Sequence, residues 1–265
     1  MKIIVCVKQV PDTTEIKIDP VTNTLIRAGV PSIVNPYDAY ALETALRLKE
    51  RYGAEVLVIS MGLEQAKEAL KECLAVGADR AWLIRDGAFG GSDTLATSFV
   101  LSRAVAWLSK ELGDVGLILC GKQAIDGDTA QVGSEMAEHL DLPQITYASD
   151  AELSEDGVLV KRENDDGYDM IKTKLPAVVT VTKISGETRL PSIKGKMRAS
   201  KAEIPVLTAQ TLEIDGEKCG LKGSPTKVKK TFTPVRTKTG INVEGKTAAE
   251  AAAGMAGFLD EKKLV

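Results

Sequence analysis

Four short runs of aliphatic and β-branched residues, each followed by a helical pattern, constrain this chain more than any other feature. They are Ile3-Ile4-Val5-Cys6-Val7, the segment 54–60, Leu83-Ile84, and Leu117-Ile118-Leu119-Cys120. Apolar side chains do not alternate with polar ones here, so both faces of each strand are apolar. That pattern belongs to strands covered by helices on both sides. Strands separated by helices predict an α/β protein: a three-layer fold around a mostly parallel sheet.

The intervening helices are legible. Asn35-Pro36-Tyr37-Asp38 leads into a helix over 39–51, with Asn35 as its expected cap and Pro36 at an early helical position. Ala41, Leu42, Ala45, Leu46 and Leu48 form a wide apolar stripe. A second helix is expected over 64–75, and a third runs from the capping sequence Ser92-Asp93-Thr94 to about residue 110. A fourth covers 129–140, with Asp128 or Thr129 as its cap. Beyond Pro143 the period shortens. Strands over 158–163 and 168–174 flank Asn164-Asp165-Asp166-Gly167, whose Asp-Gly is a strong hairpin signal, and 176–181 is a further strand. These extend the sheet or form a side hairpin.

Composition removes several function classes. The 265 residues carry a formal net charge of −3, so the chain as a whole is not a nucleic-acid binder by charge. No apolar run approaches the roughly 18 residues of a membrane span. Cys6, Cys73, Cys120 and Cys219 are too scattered for a metal knuckle or a C-x-x-C pair. With no secretory pattern at the start, the expectation is a cytoplasmic protein. The single histidine, His139, rules out a His-rich metal site. Charge is uneven: between Glu187 and Lys246 stand 13 basic and 6 acidic residues. Pro191, Pro205, Pro225 and Pro234 break the pattern there, the stretch 227–230 is basic, and only 247–259 reads as helix. The expected organisation is a body over 1–186 and an extended C-terminal arm over 187–265 that needs another surface to rest on.

The richest polar segment follows the fourth strand: Gly121, Lys122, Gln123, Ala124, Ile125, Asp126, Gly127, Asp128, Thr129, Ala130, Gln131, Val132, Gly133. In parallel α/β sheets, ligands bind beyond the carboxyl ends of strands, and a helix N-terminus there attracts phosphate. Gly121 and Gly127 permit turns that expose N–H groups, and Lys122 adds positive charge. Gln123, Asp126 and Gln131 offer the hydrogen bonds a ribose or flat heterocycle requires. The segment is neither a Walker A loop nor G-x-G-x-x-G, and an ordinary loop with capping residues is the alternative. Thr94 and Thr97, one helical turn apart, read equally as phosphate contacts or capping residues. Cys6, Lys8, Asn35 and Met61, at strand ends or helix starts, could converge on the same crevice, although Cys6 and Met61 also suit a core. No nucleophile or base is evident, so the chemistry points to a redox cofactor that brings its own.

These residues carry a resemblance. The chain resembles the beta subunit of the electron transfer flavoprotein family along nearly its full length. The blocks are Lys2-Ile3-Ile4-Val5-Cys6-Val7-Lys8-Gln9-Val10-Pro11, then Asn35-Pro36, then the 121–133 loop. Val160-Lys161-Arg162-Glu163, Asp166-Gly167 and Leu175-Pro176-Ala177-Val178-Val179-Thr180 follow in order. The resemblance implies a heterodimer whose alpha subunit holds a flavin, with a C-terminal extension of this chain wrapping that subunit. It implies a nucleotide held by Cys6, Lys8, Asn35, Met61, the loop from Gly121 to Thr129, and Gln131, with Thr94 and Thr97 serving the diphosphate of an FAD. Asp12 and Thr13 would face the alpha subunit. Glu187, Arg189, Leu190, Pro191, Ile193 and Lys194 would form the loop that recognises a partner acyl-CoA dehydrogenase.

Gly127, Thr129 and Ala130 resemble the electron-bifurcating group, which binds FAD. The AMP-only group tends to carry an acidic residue at the position of Gly127. The resemblance then implies NADH as electron donor and ferredoxin or flavodoxin as second acceptor. The alternatives are a non-bifurcating beta subunit that binds AMP structurally and, in another class, a stand-alone nucleotide-binding regulatory protein.

Overall fold

Alternation within single strands sets the layering. In β1 (Lys2–Cys6), Ile3 and Val5 enter one apolar cluster while Ile4 and Cys6 enter another on the opposite face. A computed structural model describes residues 1–12, 31–113, 115–229 and 240–265. After β1 come β2 (Gln9–Pro11), β3 (Ser32–Val34), α1 (Pro36–Tyr52), β4 (Glu55–Met61), α2 (Ala66–Val76) and β5 (Arg80–Ile84). Then follow α3 (Thr94–Leu112), β6 (Val115–Gly121), α4 (Val132–Leu140), β7 (Gln144–Ser154), β8 (Gly157–Asn164), β9 (Gly167–Thr173) and β10 (Ala177–Val181). The last elements are α5 (Ile193–Ser200), β11 (Val206–Leu207) and α6 (Ala248–Glu261).

Nine strands form one sheet in the order β11-β5-β4-β1-β6-β10-β7-β8-β9, and β2 pairs with β3 in a separate antiparallel ribbon. From β11 to β7 every pairing is parallel; only β7-β8 and β8-β9 are antiparallel. The α/β class and mostly parallel sheet agree with the sequence expectation. Leu42 and Leu46 of α1 and Leu70 of α2 pack on the face of Ile3 and Val5. Val100 and Leu108 of α3 and Met136 of α4 pack on the face of Ile4 and Cys6. The chain builds outward from β1 through β4 to β5, then crosses to the other side of β1 to add β6. The carboxyl ends of β1 and β6 therefore flank a topological switch point, where this architecture opens a crevice. No helix among the described residues is long and apolar enough to cross a membrane.

Three local expectations need correction. Asn35 precedes α1 but makes no side-chain capping bond, because its amide is engaged elsewhere. The fourth helix begins at Val132, three residues later than expected. Asp128 and Ala130 adopt left-handed backbone, with φ of 50° and 54°, which stops a helix from starting at Thr129, so neither Asp128 nor Thr129 caps it. Gly121 is not a turn glycine. A Cβ there would collide with Asp38 Oδ1 and with the backbone of Tyr37 and Asp38, so glycine is required by close approach.

Residues 187–229 pack with the body. One compact unit spans Met1–Lys229, and Lys230–Val265 forms a second. Ala199, Ile204, Leu207, Leu212 and Cys219 are buried, β11 extends the sheet beside β5, and Gly195 brings α5 within backbone contact of Ala75 in α2. These few apolar residues cannot form a private core, so they add to the existing one. In the second unit, Thr247 caps α6 by accepting from the Glu250 N–H, and no residue of that helix is buried. Thr13, Lys230 and Pro234 lie outside the described residues.

Central packing and surface exposure give opposite mutational expectations. Ile118 stands in register between Ile4 and Val178, almost fully buried. Ile118→Ala should cost about 2–5 kcal/mol in urea unfolding. Leu190→Ala should stay within about 0.5 kcal/mol of wild type, because Leu190 is 88% exposed.

Candidate functional site

Asp38 organises the carboxyl ends of β1 and β6. It lies in the first turn of α1, 7% exposed. Its Oδ2 accepts from the Lys8 N–H at 2.7 Å and its Oδ1 from the Gly121 N–H at 3.1 Å. Burial pushes its carboxyl up to about 7, against the opposing pull of hydrogen bonds from Asn35, Lys8 and Gly121. Gly121 must lack a side chain for this carboxylate to reach its N–H. Asp38 by itself reads as an ordinary acidic residue at a helix start; the signal in the sequence is the glycine that ends β6.

Asn35 ties down the loop after β6. Its Nδ2 donates to the Gln123 carbonyl at 2.8 Å and its Oδ1 accepts from the Ile125 N–H at 3.1 Å. Lys8 Nζ donates to Asp126 at 2.6 Å, so the loop is held from both the α1 start and the β1 end. Within the loop, Gln123 Nε2 donates to Asp128 Oδ1 at 2.7 Å, and the N–H groups of Gly127 and Asp128 fold back on the Ala124 carbonyl. The Lys122 ammonium lies 5.2 Å from the Tyr147 ring centroid and 6.0 Å from that of Tyr37. Cys6 is buried beneath this edge. Its thiol is held well above the ordinary value by a hydrogen bond with Cys120 and by burial, which keeps it neutral. Met61 ends β4 on the same edge, half-buried against the same core as Cys6.

The two helix starts beside this edge differ. Asp93 caps α3: its Oδ1 accepts from Ala96 N–H at 3.1 Å, and its Oδ2 accepts from Thr226 N–H at 3.0 Å. The Ser224 hydroxyl accepts from the Asp93 N–H at 2.9 Å, so the segment around 220–226 straps the start of α3. α4 has no side-chain cap at Gln131, so its first-turn N–H groups keep their capacity to bind an anion. Between the two starts, Thr94 Oγ1 donates to Glu135 Oε1 at 3.0 Å and approaches Gln131 Oε1 at 3.4 Å. Glu135 Oε2 is buried with no partner, a polar atom whose isolation is costly unless a ligand donor meets it. Sequence reasoning missed Glu135, which sits inside an unremarkable helix. Thr97 is half-buried one turn beyond Thr94.

The structure thus brings together Lys8, Asn35, Gln123, Ile125, Asp126 and Asp128 through direct contacts, and separately Thr94, Gln131 and Glu135. Gly127 and Thr129 stand on the exposed loop between them. His139 packs edge-on to Phe99 with ring centroids 5.7 Å apart. Among the described residues no cluster of His, Cys, Asp and Glu is placed to hold a metal ion. In the segment 187–194, Leu190 and Ile193 are 88% and 82% exposed, whereas Arg189 is bound to Glu43 and Glu50 of α1.

This fold and edge define a three-layer α/β protein with a tethered loop at its switch point, the arrangement in which such proteins take ligands. The family model for the electron transfer flavoprotein domain matches residues 22–212. Electron transfer flavoprotein subunit beta of Megasphaera elsdenii is 51% identical over 244 residues, covering 91% of this chain and 90% of that protein. The Caffeyl-CoA reductase-Etf complex subunit CarD of Acetobacterium woodii is 46% identical over 266 residues, spanning 100% of both chains. Protein FixA of Bradyrhizobium diazoefficiens is 43% identical over 266 residues, covering 98% of this chain and 92% of its own. The chain belongs to the electron transfer flavoprotein beta-subunit family.

Asp38 makes a pH-dependent prediction. Its folded-state value near 7 lies above the ordinary 3.8, so the fold disfavours its charge. Its contribution to stability therefore falls as pH rises from 3.8 to about 7 and is flat beyond. Asp38→Asn should remove that downward slope while losing about 1–3 kcal/mol from one of the two N–H bonds. Urea unfolding of both proteins between pH 5 and about pH 8 reads it; a wild-type–variant difference that is independent of pH would contradict the assignment.

Proposed function

We propose that this chain is the beta subunit of a heterodimeric electron-transfer flavoprotein, that it binds FAD at the β1–β6 edge, and that it serves NADH-dependent electron bifurcation. The observation that carries the reading is the pairing of a tethered loop after β6 with the uncapped start of α4 beside it. An uncapped helix N-terminus suits the negative charge of a diphosphate. A Cβ added at Gly127 would meet nothing within 4 Å, so this glycine leaves open space where bulk would stand against a dinucleotide. The orphaned Glu135 Oε2 could accept from a hydroxyl donor, which the ribityl and ribose parts of FAD would supply.

FAD bound here would supply the redox chemistry, namely hydride acceptance from NADH and one-electron transfer toward the alpha-subunit flavin and an acyl-CoA dehydrogenase on one side and ferredoxin or flavodoxin on the other. This chain's residues bind and orient. Asn35 and Lys8 fix the loop; the α4 start and Thr94 would hold the phosphates, and Cys6 and Met61 would form the floor. No base is assigned, because hydride transfer from NADH requires none. The exposed Leu190 and its neighbours dock the dehydrogenase, and the arm carrying α6 wraps the alpha subunit. The kinship with a Caffeyl-CoA reductase-Etf complex subunit supports assembly with such partners.

Purification with the alpha subunit tests this reading. Two flavins per heterodimer and bleaching by NADH are the predicted results; one flavin plus AMP would leave a non-bifurcating beta subunit. Asn35→Ala should lower the flavin content toward one per heterodimer, since it releases the loop at both Gln123 and Ile125.

A further inference from the structure

The exposed row at the docking segment has an ionic support. Leu190, just before α5, is 88% exposed, and Ile193 and Met197, one helical turn apart on α5, are 82% and 61% exposed. An apolar row this open does not hold its own position. A cavity of about 120 Å³ bordered by Leu42, Glu43, Cys73, Arg189, Leu190 and Pro191 lies against this loop, so packing alone does not fix it. The far end of α5 is fastened by Arg198, whose Nη2 donates to the Leu74 and Ala78 carbonyls at 2.8 and 3.2 Å. The near end is fastened by Arg189.

Arg189 spans two carboxylates of α1. Its Nε donates to Glu43 Oε2 at 2.9 Å and its Nη2 to Glu43 Oε1 at 3.1 Å. Nη1 donates to Glu50 Oε1, and Nη2 also reaches Glu50 Oε2 at 3.2 Å. The Arg189 N–H adds a bond to Glu43 Oε2 at 3.3 Å. A guanidinium has five N–H donors in a rigid fork, and this one directs most of them into α1. Burial raises the Glu43 carboxyl, but the hydrogen bonds from Arg189 outweigh it and the net shift is downward; at Glu50 the Arg189 bond leads the downward shift.

We propose that Arg189 is a positioning residue of the docking surface: its latch onto Glu43 and Glu50 presents Leu190, Ile193 and Met197 to the partner dehydrogenase, and it does not itself bind that partner. This rests on the reading of 187–194 as a docking segment. A loop fixed in its bound shape loses less freedom on association, so the latch acts on affinity.

The test uses the intact heterodimer with its acyl-CoA dehydrogenase, measuring the KM for the heterodimer and kcat. Arg189→Ala and Leu190→Ala should each raise KM on the order of tenfold, with the effect on KM rather than kcat. The double variant should be no worse than the poorer single one, because Arg189 acts through Leu190 and its neighbours. Glu50→Gln, which keeps the Glu43 bonds, should raise KM by less, and Arg189→Lys should restore only part of the affinity because it lacks the fork. If the two single effects multiply, Arg189 contacts the partner directly and the proposal is overturned. If Leu190→Ala raises KM while Arg189→Ala and Glu50→Gln do not, the latch is dispensable and the proposal fails alone. If Leu190→Ala leaves KM unchanged, the docking reading fails and the latch proposal falls with it.

Discussion

A single buried carboxylate joins the two strand ends on which the site is built. Asp38 accepts from Lys8 at the end of β1 and from Gly121 at the end of β6. These strands are neighbours in the sheet but far apart in sequence. A buried carboxylate carries a large desolvation cost, which two N–H bonds offset only in part, and its raised proton affinity records the difference. Removing that constraint would free the loop after β6 from the strand it extends.

From this fixed point the rest of the edge follows. Asn35 is placed by the start of α1, one turn before Asp38, and from there reaches the loop at two backbone groups. Left-handed backbone at Asp128 and Ala130 delays α4 and leaves its first turn open, while Asp93 and the 220–226 strap close the first turn of α3. One helix start is spent on internal bonds and the other is available. The same division holds in the segment 187–194, where Arg189 bonds to α1 and Leu190 is exposed.

The layers were legible because their signal is local. Ile3-Ile4-Val5-Cys6-Val7 cannot satisfy a sheet with one wet face, and the helices between strands carry clear apolar stripes. The edge loop was legible as a segment, since it follows a buried strand and is rich in glycine and hydrogen-bonding side chains. Its internal wiring was not. Asn35 read as a cap because asparagine before proline at a helix start usually is one, and only tertiary contact with residues 123 and 125 reveals the other use. Glu135 and Asp38 escaped for the same reason: their significance is a contact across more than thirty residues of chain for Thr94 and more than eighty for Gly121. The packing of 187–229 was hidden because sparse apolar residues such as Ile204 and Leu207 gain meaning only from the surface they meet.

A bifurcating role for this chain requires that the β1–β6 edge hold a dinucleotide. A crystal structure of the heterodimer as purified tests this without intermediaries. The expected result is FAD density along the loop after β6, with the diphosphate at the first turn of α4 and a ligand hydroxyl at Glu135 Oε2. Density for a dinucleotide elsewhere on this chain, or a mononucleotide whose phosphate does not approach α4, would contradict it.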